Sequence, residues 1–165
     1  MCGIVGYAGR RKAAPLLLDG LKKLEYRGYD SSGIAVESGD GVIRAVKAKG
    51  RLSRLTELTS GGETLDGTVG VGHTRWATHG EPNDVNSHPH LSEKGRFAVV
   101  HNGIIENYLE LKSFLTEKGF SFISQTDTEV IAHLLEYYFE GDVLTCIRKV
   151  LNKLSGSYAL GVLFN

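Results

Sequence analysis

Cysteine is nearly absent from this chain: Cys2 and Cys146 are the only two in 165 residues. Two thiols at opposite ends make no disulfide framework, and nothing marks a stapled secreted domain. Proline is as scarce, with three residues, and no Pro- or Ser-rich linker, internal repeat or low-complexity tract divides the chain. Charge of one sign is also missing. Nineteen basic residues balance 19 acidic ones, and a solvated face accounts for Arg10-Arg11-Lys12 and Lys22-Lys23. Nucleic acid and membrane surfaces are therefore poor partners. No apolar run approaches the about 18 residues of a membrane span, and the N-terminus lacks the basic-then-apolar pattern of a signal peptide. A cytoplasmic globular protein is expected, one domain over residues 1–165. The 41% hydrophobic content suffices for a real core, and the reducing setting would keep Cys2 a thiol.

Helical and strand periodicities alternate without regular βαβ order. Strands are expected at Ile4–Ala8, Gly33–Val36, Val42–Ala48, Thr68–Trp76, Arg96–His101, Phe120–Ser124 and Tyr158–Phe164. The second and third are joined by the hairpin signal Ser38-Gly39-Asp40-Gly41. Helices are expected at Ala13–Leu24, with its leucine stripe, and at Arg51–Leu58, Tyr108–Lys118 and Val143–Leu154. A further helix should run through Phe139, capped by Thr126 or Asp127 with Glu129 in its first turn. Thr59–Gly67 and Ala77–Leu91 read as loops, the second crowded with polar groups that packing does not explain. Mixed elements with hairpins argue for an α+β fold with helices on sheet faces.

Four places could carry chemistry. Cys2 follows the initiator methionine and precedes an apolar strand. Loss of Met1 would place a thiol and a free α-amine on one residue, and such an amine, titrating near ~7.7–8.0, can serve as base for its own nucleophile. The alternative is a small buried hydrophobe. In His73-Thr74-Arg75-Trp76, the guanidinium could clamp a carboxylate bidentately while the indole shields a reacting bond; the alternative is a surface arginine stacked on tryptophan. Asn102-Gly103, at a strand end, could aim an amide and a main-chain N–H at one oxygen, or could be an ordinary Asn-Gly turn. Asp127 could pair with a substrate ammonium, or cap a helix. No metal is expected, because His88-Pro89-His90 does not match zinc spacings and no thiol or acidic cluster completes a site. Gly70 and Gly72 run into His-Thr-Arg-Trp rather than a helix-opening glycine, so a dinucleotide or phosphate loop is not expected.

Taken together, six segments stand in the order of a known family. They are Cys2-Gly3-Ile4-Val5-Gly6, Leu24-Glu25-Tyr26-Arg27-Gly28-Tyr29-Asp30-Ser31, His73-Thr74-Arg75-Trp76-Ala77-Thr78-His79-Gly80-Glu81-Pro82, Asn86-Ser87-His88-Pro89-His90, His101-Asn102-Gly103-Ile104-Ile105-Glu106-Asn107-Tyr108 and Thr126-Asp127-Thr128-Glu129-Val130-Ile131-Ala132-His133. Over essentially its whole length the chain resembles the N-terminal glutaminase domains of glucosamine-6-phosphate synthases, which are class II glutamine amidotransferases. The resemblance implies an N-terminal-nucleophile hydrolase αββα sandwich that releases ammonia from L-glutamine and needs no cofactor. By the same likeness Cys2 would be the nucleophile and its α-amine the base, with Asn102 and Gly103 holding the oxyanion. Arg75 would clamp the substrate carboxylate and Asp127 its ammonium. Thr78 and His79 match further pocket positions, Trp76 the residue shaping the ammonia passage, and Arg27 and His88 supporting positions near the nucleophile.

The same resemblance implies partners. In the family this domain continues past the position of Asn165, and two sugar-phosphate isomerase domains that bind fructose 6-phosphate follow it. The sandwich is therefore expected to be incomplete at its C-terminal side, with an open edge that could associate with a second copy, and fructose 6-phosphate binding is not expected here. With Met1 attached, the amine would be an amide nitrogen and the site blocked. A non-catalytic glutamine-binding or interaction module derived from such an enzyme is the alternative function, and another amide a third. Labelling of Cys2 together with glutamate release would separate the three.

Overall fold

The computed structural model describes residues 2–27, 30–76 and 83–165, with Arg27 described in its main chain alone. Strands β1 (Gly3–Ala8), β2 (Ser31–Glu37), β3 (Ile43–Lys49) and β4 (Val69–Arg75) form one antiparallel sheet in the order β1-β4-β2-β3. Strands β5 (His90–Leu91), β6 (Phe97–Ile105) and β7 (Gly156–Phe164) form a second, in the order β5-β6-β7. Helices α1 (Ala13–Leu24) and α2 (Leu52–Leu58) cover the first sheet; α3 (Tyr108–Glu117), α4 (Glu129–Tyr138) and α5 (Val143–Leu151) cover the second.

The period-two pattern of the strands builds this layering, because successive side chains point to opposite faces. On β2, Ile34 and Val36 join Leu17, Leu18 and Leu21 of α1, while Ala35 faces the other sheet. On β6, Phe97 and Val99 face the helices around Leu134 and Leu135, and Ala98 and Val100 pack inward against Val71 and Leu163. The result is helix, sheet, sheet, helix around three buried cores, the αββα arrangement. Gly70 and Gly72 serve packing: a Cβ there would lie 2.9 Å from Leu17 Cδ1 and 3.1 Å from Leu21 Cδ1, so their bareness lets α1 settle on β4. No described helix is long and apolar enough to cross a membrane.

Three local expectations change. Phe120–Ser124 is not a strand; the Glu129 carboxylate holds it by accepting the main-chain N–H groups of Ile123 at 2.9 Å and Ser124 at 2.7 Å. Strand β6 runs on to Ile105, so Asn102-Gly103 lies inside a paired strand, opposite Ala159 and Tyr158, and forms no turn. Asp127 does not cap α4: its Oδ2 accepts the Ile105 N–H at 2.8 Å. Pairing with β7 outweighs the turn signal, since ladder bonds satisfy more main-chain groups than one turn can, while the Asp127 carboxylate satisfies a strand-end N–H in place of a helix N-terminus. The Thr59–Gly67 loop contains a 3-10 turn at Ser60–Gly62, and the Lys12 ammonium lies 3.1 Å from Glu63 and 3.0 Å from Asp66.

Candidate active site

The site forms where the two sheets meet at one end. Gly3 of β1 pairs with Thr74 of β4, which brings Cys2 beside the end of β4. Gly3 has no room for a side chain: a Cβ would lie 2.9 Å from Leu24 and 3.0 Å from the Thr74 hydroxyl. The Trp76 N–H donates to Cys2 Sγ at 3.2 Å, and the thiol lies 3.6 Å from the Trp76 carbonyl oxygen. From the other sheet, Asn102 Nδ2 donates to the Cys2 carbonyl at 3.3 Å, while Asn102 Oδ1 lies 2.8 Å from His73 Nε2. Gly103 follows with φ of 119°, and a Cβ there would stand 2.1 Å from the Ser157 carbonyl oxygen, so only glycine fits.

A cavity of about 370 Å³ opens between these elements, lined by Cys2, Arg75, Trp76, His88, Asn102, Gly103 and Asp127 among others. That size accommodates an amino-acid-sized ligand. Arg75 is buried at its wall, so desolvation pulls the guanidinium pKa down, with Cys2, Asp30 and Asp127 acting in the opposite sense. Asp127 lines the same cavity, braced by the Ile105 N–H and 3.8 Å from His101 Nδ1. The pocket thus carries a cation and an anion, with a thiol on the same wall. Trp76 is half exposed at the mouth.

In and behind this wall lies a group of buried histidines. His88 stacks on His73 with ring centroids 4.2 Å apart and meets His90 edge-on at 5.0 Å. His88 Nδ1 accepts the His101 main-chain N–H at 3.2 Å, and Thr128 Oγ1 is 2.9 Å from His101 Nδ1. Burial pushes His73 down to about 4, His90 to about 3 and His88 well below its ordinary value. These rings are neutral at pH 7, and among the described residues no group is arranged to hold a metal.

Of the residues singled out from the sequence, the structure brings Cys2, Arg75, Trp76, His88, Asn102, Gly103 and Asp127 into one cavity wall. Thr78, His79, Met1 and the Arg27 side chain lie outside the described residues. His101, Ile104, Thr126 and Thr128 also line the cavity and were not singled out for it, and His73 sits directly behind it. Their signal was weak: Thr126 reads as a cap, His101 as a strand end, His73 as one of several histidines.

A thiol at the head of the chain, with amide and charged groups around it on an αββα sandwich, defines the class of N-terminal-nucleophile amidotransferases. The chain belongs to the glutamine amidotransferase domain family, whose model matches residues 73–165. It is 64% identical over 163 residues to the glutamine–fructose-6-phosphate aminotransferase [isomerizing] of Caldanaerobacter subterraneus subsp. tengcongensis, covering 99% of this chain and 26% of that protein. A protein of the same name from Thermus thermophilus is 57% identical over 162 residues, 98% of this chain and again 26% of its own length. This chain therefore spans about a quarter of the relatives it matches. Among solved structures, the glutamine phosphoribosylpyrophosphate amidotransferase from B. subtilis, complexed with ADP and GMP, superposes with a TM-score of 0.84 at 28% identity, over 99% of this chain and 35% of that one.

Proposed function

We propose that the chain hydrolyses the side-chain amide of L-glutamine to glutamate and ammonia, with Cys2 as nucleophile. The supporting observation is the shared cavity: thiol, buried guanidinium, carboxylate and strand-borne amide all face one space. Once Met1 is removed, the Cys2 α-amine takes the thiol proton as Sγ attacks the amide carbon. The carbonyl oxygen becomes an oxyanion, which Asn102 Nδ2 and the Gly103 N–H stabilise; an Asn amide carries two donors, so one can serve the Cys2 carbonyl and the other the oxyanion. The ammonium formed at the chain end then protonates departing ammonia. Water attacks the thioester, the same amine takes that water's proton, and glutamate leaves with the thiol restored.

Arg75 and Asp127 account for selectivity. A substrate lacking either terminal charge forgoes a charge-assisted contact to the Arg75 guanidinium or the Asp127 carboxylate, which costs roughly 2–5 kcal/mol. Free glutamine carries both charges and a glutamine within a peptide carries neither, so hydrolysis should be confined to the free amino acid. Thr78 and His79 complete the pocket in this reading, Trp76 borders the exit for ammonia, and Arg27 and His88 support the nucleophile. The chain would act as the ammonia-supplying domain, residues 1–165, of a cytoplasmic glutamine–fructose-6-phosphate aminotransferase whose sugar-phosphate isomerase domains hold fructose 6-phosphate. The test pairs intact-mass measurement with a glutaminase assay. Glutamate release from free glutamine by protein lacking Met1 is expected. Comparable rates on peptide-bound glutamine, or full turnover with Met1 intact, would overturn it.

A further inference from the structure

Asn102 has a side chain whose two ends differ in chemistry and are nearly equal in shape, so its usefulness depends on which end faces Cys2. The Cys2 carbonyl oxygen, 3.3 Å away, can only accept, which requires the amide nitrogen on that side. The amide oxygen is then turned to His73 Nε2 at 2.8 Å. An amide oxygen can only accept as well, so Nε2 must carry the imidazole proton. We infer that His73 is a positioning residue: its Nε2–H fixes the Asn102 amide with the nitrogen toward Cys2.

Three observations support this assignment. His73 is 1% exposed, and burial holds its ring neutral at pH 7, so it carries a single proton. Its other nitrogen, Nδ1, is buried with no partner in hydrogen-bond geometry among the described residues; the His101 main chain near the ring acts to raise its pKa, but less than burial lowers it. The ring is also held in plane. His88 stacks on it at 4.2 Å, and the His88 main chain reaches that place because Gly33, paired with His73 across β2 and β4, has no side chain. A Cβ at Gly33 would stand 2.2 Å from the His88 carbonyl oxygen. Strand, glycine and stacked ring thus aim one N–H at one oxygen.

The inference rests on Asn102 being an oxyanion donor, and the experiment separates the two. In the same protein, His73→Phe keeps a ring for His88 and removes the donor. His73→Gln offers an N–H at similar reach. Loss of the donor should lower kcat for glutamine hydrolysis about 10- to 100-fold, with KM changed less than about threefold. His73→Gln should recover most of that loss, and His73→Phe should add little in an Asn102→Ala background. A His73→Phe protein with full kcat, beside an Asn102→Ala protein that is impaired, would overturn the inference and leave the oxyanion role standing. Full kcat in Asn102→Ala would overturn the oxyanion role itself. Should His73→Phe fail to fold, nitrogen NMR of histidine-labelled native protein decides: an Nε2–H ring at residue 73 across pH 5–8 is expected, and an Nδ1–H ring would overturn the assignment.

Discussion

The Trp76 main-chain N–H points at the Cys2 sulfur across 3.2 Å, joining the end of β4 to the residue ahead of β1. This contact survives any change of the indole, because the backbone makes it. The sulfur itself does not survive replacement. Cys2→Ala should abolish glutamate release, a loss of about a thousandfold or more, since Cys2 carries the only thiol among the described wall residues. Glutamine affinity should stay within about threefold, because the clamp is elsewhere. Calorimetric titration of the variant with glutamine, beside a turnover assay, checks both halves.

The Asp127 carboxylate has a structural and an electrostatic task, which Asp127→Asn separates. The amide oxygen can still accept the Ile105 N–H, so the melting temperature should hardly move. The charge is gone, so KM for glutamine should rise about a hundredfold. A raised KM with unchanged Tm supports the ammonium role; unchanged KM would remove Asp127 from the pocket chemistry.

Acid should destabilise the fold in two stages. His73 titrates at about 4 and His90 at about 3 in the folded chain, with His88 also held well down, all by burial. Above about pH 6.5 folded and unfolded chains are both neutral at these rings, and stability is full. Below it the unfolded chain binds protons that the folded one refuses, so stability falls by up to about 1.4 kcal/mol per pH unit for each ring, down to the folded pKa. Burial pushes Glu129 up, but bonds from His133, the Ile123 N–H and Ser124 outweigh it and hold the carboxyl at about 2. Its contribution is present above pH 4.5 and is lost from there toward 2. Urea unfolding from pH 8 to 4 should show midpoints flat above 6.5 and falling steadily below.

Gly33→Ala should cost about 2 kcal/mol or more, because the new methyl meets the His88 carbonyl at 2.2 Å and the Val46 carbonyl at 3.1 Å. Moving His88 also unseats the His73 ring, so turnover should drop with stability. Gly6→Ala is the control. No atom lies within 4 Å of its added Cβ, and both stability and activity should be retained.

The linear pattern carried much of this. The leucine stripe predicted α1 at its observed ends, Ala13 and Leu24, and alternation located β1 to β4 within about two residues. The rarity of cysteine and the motif order around Cys2, Arg75, Asn102 and Asp127 named the wall of the cavity before any geometry was known. Periodicity is a property of local spacing, which a chain displays without folding; the cavity residues came from the likeness of ordered segments to a known family.

Folding decided the rest. Asn102-Gly103 reads as a turn until β7 pairs with it, and Asp127 reads as a cap until the Ile105 N–H claims its carboxylate. His73 carries only a weak signal in the sequence, which names no partner for it. It gains one only when β6 passes behind β4 and sets an amide oxygen 2.8 Å from its Nε2. Partners that far apart along the chain meet because two sheets bury their inner faces against each other, and burial of that kind depends on the whole fold rather than on any one segment.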